Sequence, residues 1–270
     1  MTGQTRLDDL DCPLHRIFPV WFLEQAIRFR QLTLVKPALW PDPREDPCST
    51  FVLESQSNPK RRQQLLSAYL APCWAQCWSY EADSDVLLRA YSRVVLHAEL
   101  KRNSDPANEG VRVTTTARKL IAAMETWKVN SPHHTFFLAR VVYEDDASFG
   151  QSLANRLSRP EGPNFFGTPE GRAESMLVKL AIFRHEDEVR LLCIGTGRHN
   201  DGNNLKTMPI DPNFLFTEVR FDPRLALFER REREERLRAL GFTGKFIEDP
   251  SHTKTFTIIP MPGEWPDAPA

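Results

Sequence analysis

The sequence predicts an α+β fold: a single domain with a mixed, mainly antiparallel sheet flanked by helices. Segments with the two-residue period of strands and segments with the helical period follow one another without a strict β-α-β repeat. The chain also lacks a glycine-rich phosphate loop and an internal repeat. Its 270 residues, 41% of them hydrophobic, are enough to bury a sizeable core. We therefore expect one domain over residues 14–260, between an N-terminal tail (1–13) and a frayed C-terminal tail (261–270).

The first half of the chain alternates helices and strands. Leu23, Ala26 and Ile27 recur at helical spacing, and three prolines within residues 40–47 exclude regular structure there. An asparagine followed by a proline at 58–59 matches the start of a helix. In order, these patterns predict a helix over 21–30, a strand over 32–35, a rigid loop over 40–47, a helix over 58–70, a strand over 73–79, a helix over 84–94 and a strand over 111–115.

The second half continues the mixture. Thr115 or Thr116 can cap a helix that passes Met124, and Gly241 ends a charged helix that begins at Pro223. Two apolar runs favour a pair of strands joined at an acidic segment. The predicted elements are a strand over 137–143, a short helix near 153–157, the strand pair 177–183 and 189–194, a mobile loop over 195–204, a strand over 214–221 and a last strand over 247–259.

The overall charge is balanced, with 35 Lys and Arg against 36 Asp and Glu. A formal net charge of -1 gives no general electrostatic reason to expect nucleic acid or an anionic membrane as a partner. The basic cluster Lys60-Arg61-Arg62 leaves a local contact with nucleic-acid phosphates open. In residues 230–236, arginines alternate with glutamates, which favours a solvated, salt-bridged helix face.

The five cysteines do not indicate a disulfide framework, because their number is odd and the N-terminus lacks the apolar run of a signal peptide. The spacing of Cys73 and Cys77 suggests a metal site, but no second pair accompanies them, and a strand would place both on one face. We predict buried structural thiols and no metal. Since no apolar stretch is long enough to cross a bilayer, we expect a cytoplasmic protein without a membrane partner.

The strongest candidate for chemistry lies in residues 184–190. In a strand, Glu186 and Glu188 would project from one face, and Arg190 would continue the row. Two carboxylates this close need a cation, a proton or a substrate, and Lys179 lies on the preceding run. One carboxylate could stay ionised to stabilise developing positive charge while the other holds a proton. The alternative is a solvated hairpin end in which Glu and Arg pair for little energy.

Three further clusters could line a pocket. His15 and Arg16 lie between apolar neighbours near an early strand, although ordinary surface basic residues give the same pattern. The 40–47 loop could frame a pocket or cover the end of a sheet. The last cluster combines Cys77-Trp78-Ser79 at a strand end with Tyr91 on the next helix. Trp78 and Tyr91 could stack on a planar ligand ring, or belong to the packed core.

Taken in order, these clusters resemble a bacterial family known as domain of unknown function 2971. The resemblance is carried by Leu14-His15-Arg16-Ile17-Phe18, residues 34–47, Cys77-Trp78-Ser79, residues 87–92, residues 110–115, and residues 179–192 with their Glu186-x-Glu188-x-Arg190 core. It spans most of residues 14–220. The sequence departs from the family at His15, where an aromatic residue is more usual, and at Leu88-Arg89-Ala90, where Trp or His tends to precede the tyrosine.

The family's order of parts looks like the layout of ADP-ribosyltransferases, and this likeness implies an enzyme and its site. It implies NAD as substrate and transfer to an unknown macromolecular acceptor, in phage defence or a toxin system. Glu188 would stabilise an oxocarbenium-like transition state, and Glu186 would orient the acceptor. The dinucleotide would be bound by His15, Arg16, Ser79, Tyr91 and Arg190. This assignment requires Arg16, Tyr91 and Glu188 to converge on one cleft.

Two other classes of function remain open. The first is a non-catalytic binding or regulatory module, either antitoxin-like or a sensor, in a bacterial defence or mobile-element locus. In such a module the Glu-x-Glu-x-Arg unit would be a structural ion-pair hub against Lys179. The second is a protein that binds or modifies nucleic acid through its basic cluster and long helix, for which the mixed charge is unfavourable.

Overall fold

A computed structural model describes residues 4–55, 63–196 and 202–248, together with residues 260 and 263. Within these residues the predicted α+β class is confirmed, with one large, mostly antiparallel mixed sheet flanked by helices. The basic cluster at 60–62 lies outside the described residues, as does most of the predicted last strand and of the C-terminal tail.

The elements have the following bounds. The strands are β1 (Gln4–Arg6), β2 (Pro13–Pro19), β3 (Gln31–Val35), β4 (Val52–Glu54), β5 (Gln63–Leu65), β6 (Cys73–Ser79), β7 (Gly110–Thr116), β8 (His134–Arg140), β9 (Val142–Glu144), β10 (Val178–Leu180), β11 (Glu188–Gly195), β12 (Leu205–Pro209), β13 (Glu218–Phe221) and β14 (Lys245–Phe246). The α-helices are α1 (Val20–Phe29), α2 (Asp85–Tyr91), α3 (Ala117–Val129), α4 (Asp146–Leu157), α5 (Pro169–Met176), α6 (Pro212–Leu215) and α7 (Leu227–Ala239).

The main sheet has the strand order β1-β8-β11-β6-β2-β7-β13-β14. Strand β11 is antiparallel to both β6 and β8 and is buried along its whole length, which explains its nearly continuous apolar run. Beyond β6 the sheet forks: β2 pairs with it at Ser79, whereas β3 pairs with it at Ala75. Backbone groups of β6 between these two points are therefore available to side chains.

The core is divided between the two faces of this sheet. Helix α1 buries Leu23, Ala26 and Ile27 in the main cluster, as their helical spacing predicted, and ends at Arg30 in the left-handed region (φ 52°). A smaller cluster joins Met176 of α5 to Leu192 of β11. The sheet is thus covered around the acidic segment, which is why charges there are removed from water.

Several predicted elements differ from the structure. Residues 63–65 form a strand paired with β4 rather than a helix, and the buried Leu66 follows in a 3₁₀ turn (Leu66–Ala68). The run 177–183 is a strand only in β10, which pairs in parallel with β9 and not with β11. Phe214 lies in α6, because Asp211 caps that helix at the Asn213 amide. Within the stretch predicted as an N-terminal tail, β1 pairs in parallel with β8.

Candidate functional site

Lys179 is the centre of a buried ion network. Its Nζ lies 2.8 Å from Glu45 Oε1, 2.7 Å from Glu186 Oε2 and 3.0 Å from Glu188 Oε2. Arg190 supplies a second cation: its Nε donates to Glu188 Oε1 at 2.6 Å, and its Nη2 donates to Glu45. The side chains of Lys179, Glu188 and Arg190 are only 3%, 2% and 0% exposed. Three carboxylates therefore share two cations away from solvent.

The local backbone explains how the two predicted carboxylates meet. Strand β11 begins at Glu188, so the two-residue period places Glu188 and Arg190 on one side, as predicted. Glu186 is not in that strand: it ends a 3₁₀ turn (Ala181–Glu186), and Asp187 follows in the left-handed region at φ 39°. The expectation that both glutamates share one strand face is wrong. They converge because Lys179 binds both.

The pKa values of Glu186 and Glu188 shift in opposite directions. Burial would raise the pKa of Glu188, but Arg190 and Lys179 outweigh it and lower this pKa to about 2. Burial raises the pKa of Glu186 above its ordinary value, although Lys179 opposes the shift. Burial opposes the charge of Lys179 as well, yet Glu188 and Glu45 hold its pKa above the ordinary range. Glu188 is therefore ionised at neutral pH, while Glu186 is the stronger proton acceptor of the two.

The 40–47 loop covers this network and contributes a residue that the sequence analysis missed. Besides its carboxylate, Glu45 offers its backbone carbonyl to Arg190 Nη1 at 3.0 Å. The Arg190 guanidinium lies 5.2 Å from the ring centroid of Trp40. The loop is anchored by Asp46, which accepts two hydrogen bonds from buried Arg172 at 2.7 and 2.5 Å. Glu45 ends a 3₁₀ turn (Pro43–Glu45), which is too short for a sequence period to indicate the direction of its side chain.

Arg16 and Tyr91 face the same group of charges. Arg16 Nη1 donates to the Cys77 carbonyl at 3.1 Å, at the fork of the sheet. Burial lowers the pKa of Arg16, and Cys77, Tyr91 and Glu188 oppose that shift by their charges. Tyr91 at the end of α2 is half-exposed as a whole residue. Burial of its hydroxyl group, together with the nearby Cys77 and Glu186, raises the pKa of that group to about 12. Arg16 is thus within electrostatic reach of Tyr91 and Glu188, and Tyr91 is within reach of Cys77 and Glu186.

His15 and Ser79 lie in the same row of the sheet, but His15 contacts Thr114 whereas Ser79 contacts the backbone of the acidic segment. The register aligns Thr114, His15, Ser79 and Glu188 across four neighbouring strands. His15 Nδ1 is 3.1 Å from Thr114 Oγ1, and burial together with Arg112 lowers its pKa to about 4. Ser79 Oγ donates to the Glu186 carbonyl at 2.5 Å and accepts from the Glu81 amide at 2.9 Å. Ser79 therefore holds the acidic segment against β6.

The cysteines are free thiols, and burial raises the pKa of Cys73 to about 12. Among the described residues, no group of three His, Cys, Asp or Glu side chains is arranged to hold a metal ion. No helix in the described part of the chain combines the length and apolar character needed to span a bilayer.

The chain matches known proteins only at a low level. No family model matches the chain, so the resemblance to domain of unknown function 2971 is not confirmed, and no curated protein matches it either. Solved structures of one protein, the DarT of Thermus sp. 2.9, are similar at low level. They are its complexes with ADP-ribosylated ssDNA (10% identity, 91% of this chain and 98% of that chain covered, TM-score 0.38), with NAD+ (10%, 89% and 96%, 0.36) and with carba-NAD+ (11%, 88% and 95%, 0.35). Similarity at this level does not establish a shared function.

Proposed function

We propose that the chain is an NAD-dependent ADP-ribosyltransferase-like enzyme that acts on a macromolecular acceptor. The observation that carries the proposal is the buried carboxylate of Glu188, which Lys179 and Arg190 keep ionised and whose charge acts on Arg16. Cleavage of the nicotinamide glycosidic bond develops positive charge on the ribose. A carboxylate already fixed in a water-excluded position stabilises that charge without reorganising.

Each converging side chain has a role in this reaction. Arg16 would pair with the diphosphate of NAD, since a guanidinium matches phosphate oxygens, and the half-exposed ring of Tyr91 would pack on the nicotinamide end. The bond from ribose C1′ to the nicotinamide nitrogen breaks, and its electron pair passes to the nicotinamide ring. The acceptor nucleophile bonds to C1′ and gives its proton to Glu186, whose pKa is raised. Because the 40–47 loop covers Arg190, NAD would approach from the Tyr91 side.

A second candidate function is supported by the contacts of Glu188 itself. Its two oxygens are engaged by Arg190 and Lys179, and its side chain is 2% exposed. A carboxylate used in this way can be a structural hub that holds the 40–47 loop to β11. The chain would then be a non-catalytic binding or regulatory module.

The deciding experiment incubates the pure protein with NAD labelled in its ADP-ribose part. It follows nicotinamide release and label transfer to protein and to nucleic acid, for the wild type, Glu188→Gln and Glu186→Gln. Glu109→Gln is the matched control, because Glu109 is 1% exposed and pairs with buried Arg233 at 2.6 Å on α7. Thermal unfolding and NAD binding are measured for each variant.

A transferase predicts that Glu188→Gln lowers nicotinamide release about 100-fold or more while the folded variant still binds NAD. Glu109→Gln should lose stability but keep its activity per folded molecule. If the wild type neither binds nor turns over NAD, the transferase proposal fails and the structural hub remains. Equal losses in Glu188→Gln and Glu109→Gln would show that only stability had changed.

A further inference from the structure

A cavity of about 310 Å³ borders Lys179 but is separate from Arg16, Ser79 and Tyr91. Its walls are largely apolar and include Phe51, Phe149, Val178 and Leu180. This volume is at the lower end of the range for small-molecule sites. The cavity is therefore large enough for a ring-sized or branched hydrocarbon group.

The charged groups in the wall differ in their pairing. Lys179 is bound by three carboxylates, and Arg44 donates to Asp42 at 2.7–3.2 Å. Glu144 also lines the cavity, and its Oε2 is enclosed by protein without a hydrogen-bond partner in the described part of the chain. Buried oxygens of this kind are rare because an unmade hydrogen bond is costly. Glu144 Oε2 thus lacks a donor, whereas both cations of the wall already have carboxylate partners.

We propose that this cavity binds a small organic ammonium ion, that is, an amine on a compact apolar body. The body would fill the space between the phenylalanines and β10, and an N–H group would donate to Glu144. The terminal torsion of a glutamate is broad, so a small rotation of the carboxylate turns Oε2 towards the cavity. A carboxylate ligand would be repelled by Glu144, and an alcohol would form a weaker hydrogen bond. The site is independent of the proposed transferase function.

The first test uses three probes of similar shape: benzylamine, benzyl alcohol and benzoate. Binding is measured at pH 7 by calorimetry and by ligand-observed NMR. Benzylamine, which is then an ammonium ion, should bind at least about ten-fold more tightly than benzoate. Glu144→Gln should weaken benzylamine about ten-fold with little change in Tm, because a charge-assisted hydrogen bond becomes a neutral one.

A cavity-filling variant gives a second measurement that does not depend on Glu144. A Cβ built on Gly150, which lines the cavity in α4, meets nothing within 4 Å. Gly150→Leu should therefore fold, and a leucine at this position of the wall should weaken benzylamine binding. The proposal is overturned if no probe binds the folded wild type, if benzoate binds as well as benzylamine, or if both variants bind benzylamine like the wild type. None of these outcomes bears on NAD turnover.

Discussion

Glu188 and Arg190 form a two-point contact within one strand. Arg190 Nε donates to Glu188 Oε1 at 2.6 Å, and Nη2 donates to Oε2 at 3.2 Å. The strand period presents both side chains on one side, and the planar guanidinium matches the carboxylate. Removal of one partner from such a buried pair leaves the other charge uncompensated, which costs far more than the loss of a surface pair.

Arg190→Met should lower the free energy of unfolding by about 3–5 kcal/mol at pH 7, because Glu188 and Glu45 then keep only Lys179 as a cation. Urea unfolding measures the effect. The control is Arg118→Met, which removes an exposed pair with Asp11 (63% and 64% exposed) and should have a much smaller effect, because water screens that pair. Similar losses in the two variants would contradict the burial of the network.

Stability should fall as the pH drops from about 6.5 towards 4, because His15 is hard to protonate in the fold. Its folded pKa of about 4 lies below the ordinary value of 6.5. The unfolded chain therefore binds a proton at higher pH than the folded chain does, which stabilises the unfolded state as the pH falls through this range. His15→Gln should show a smaller fall in Tm between pH 7 and 4.5. Glu188, whose folded pKa of about 2 lies below its ordinary value of 4.5, adds a second loss of stability once the pH falls below about 4.5, outside the range of this comparison. Parallel Tm profiles for the wild type and His15→Gln would refute this assignment.

The contact between Asp46 and Arg172 should anchor the 40–47 loop. Both side chains are buried (9% and 5% exposed), so Asp46→Ala should cost about 3–5 kcal/mol by leaving Arg172 unpaired. The double variant Asp46→Ala/Arg172→Met should recover part of this loss, since no lone charge remains. A double-mutant cycle in urea measures the coupling. Strictly additive losses would mean that the two side chains do not interact.

Substitution by alanine at two glycines in helices should have opposite effects on stability. At Gly171 in α5, an added Cβ would lie 2.1 Å from the Phe165 carbonyl oxygen, so Gly171→Ala must displace backbone and lower Tm. At Gly150 in α4 the space is open, and Gly150→Ala should stabilise by about 0.5–1 kcal/mol through helix propensity. Thermal unfolding compares the pair. A stabilised Gly171→Ala variant would contradict the close approach of α5 to Phe165.

The sequence was informative where a period determined the direction of a side chain. The strand period correctly paired Glu188 with Arg190, and helical spacing identified the buried face of α1. Local signals failed where distant contacts decide the structure. The run 177–183 has an apolar strand pattern, but its pairing with β9 depends on a segment far away in the chain. For the same reason, the sequence pattern placed Lys179 near Glu188 but could not show that Glu45, from a distant segment, also binds Lys179.

The position of Glu45 also has a consequence for the order of folding. Glu45 and Arg190 are 145 residues apart, so their contact closes a long loop of the chain. Loop closure on that scale is entropically costly and slow relative to local helix formation. During synthesis Glu45 leaves the ribosome well before β10 and β11. Its partners Lys179 and Arg190 are therefore not yet available to it. The ion network is therefore expected to assemble only once β10 and β11 have joined the fold.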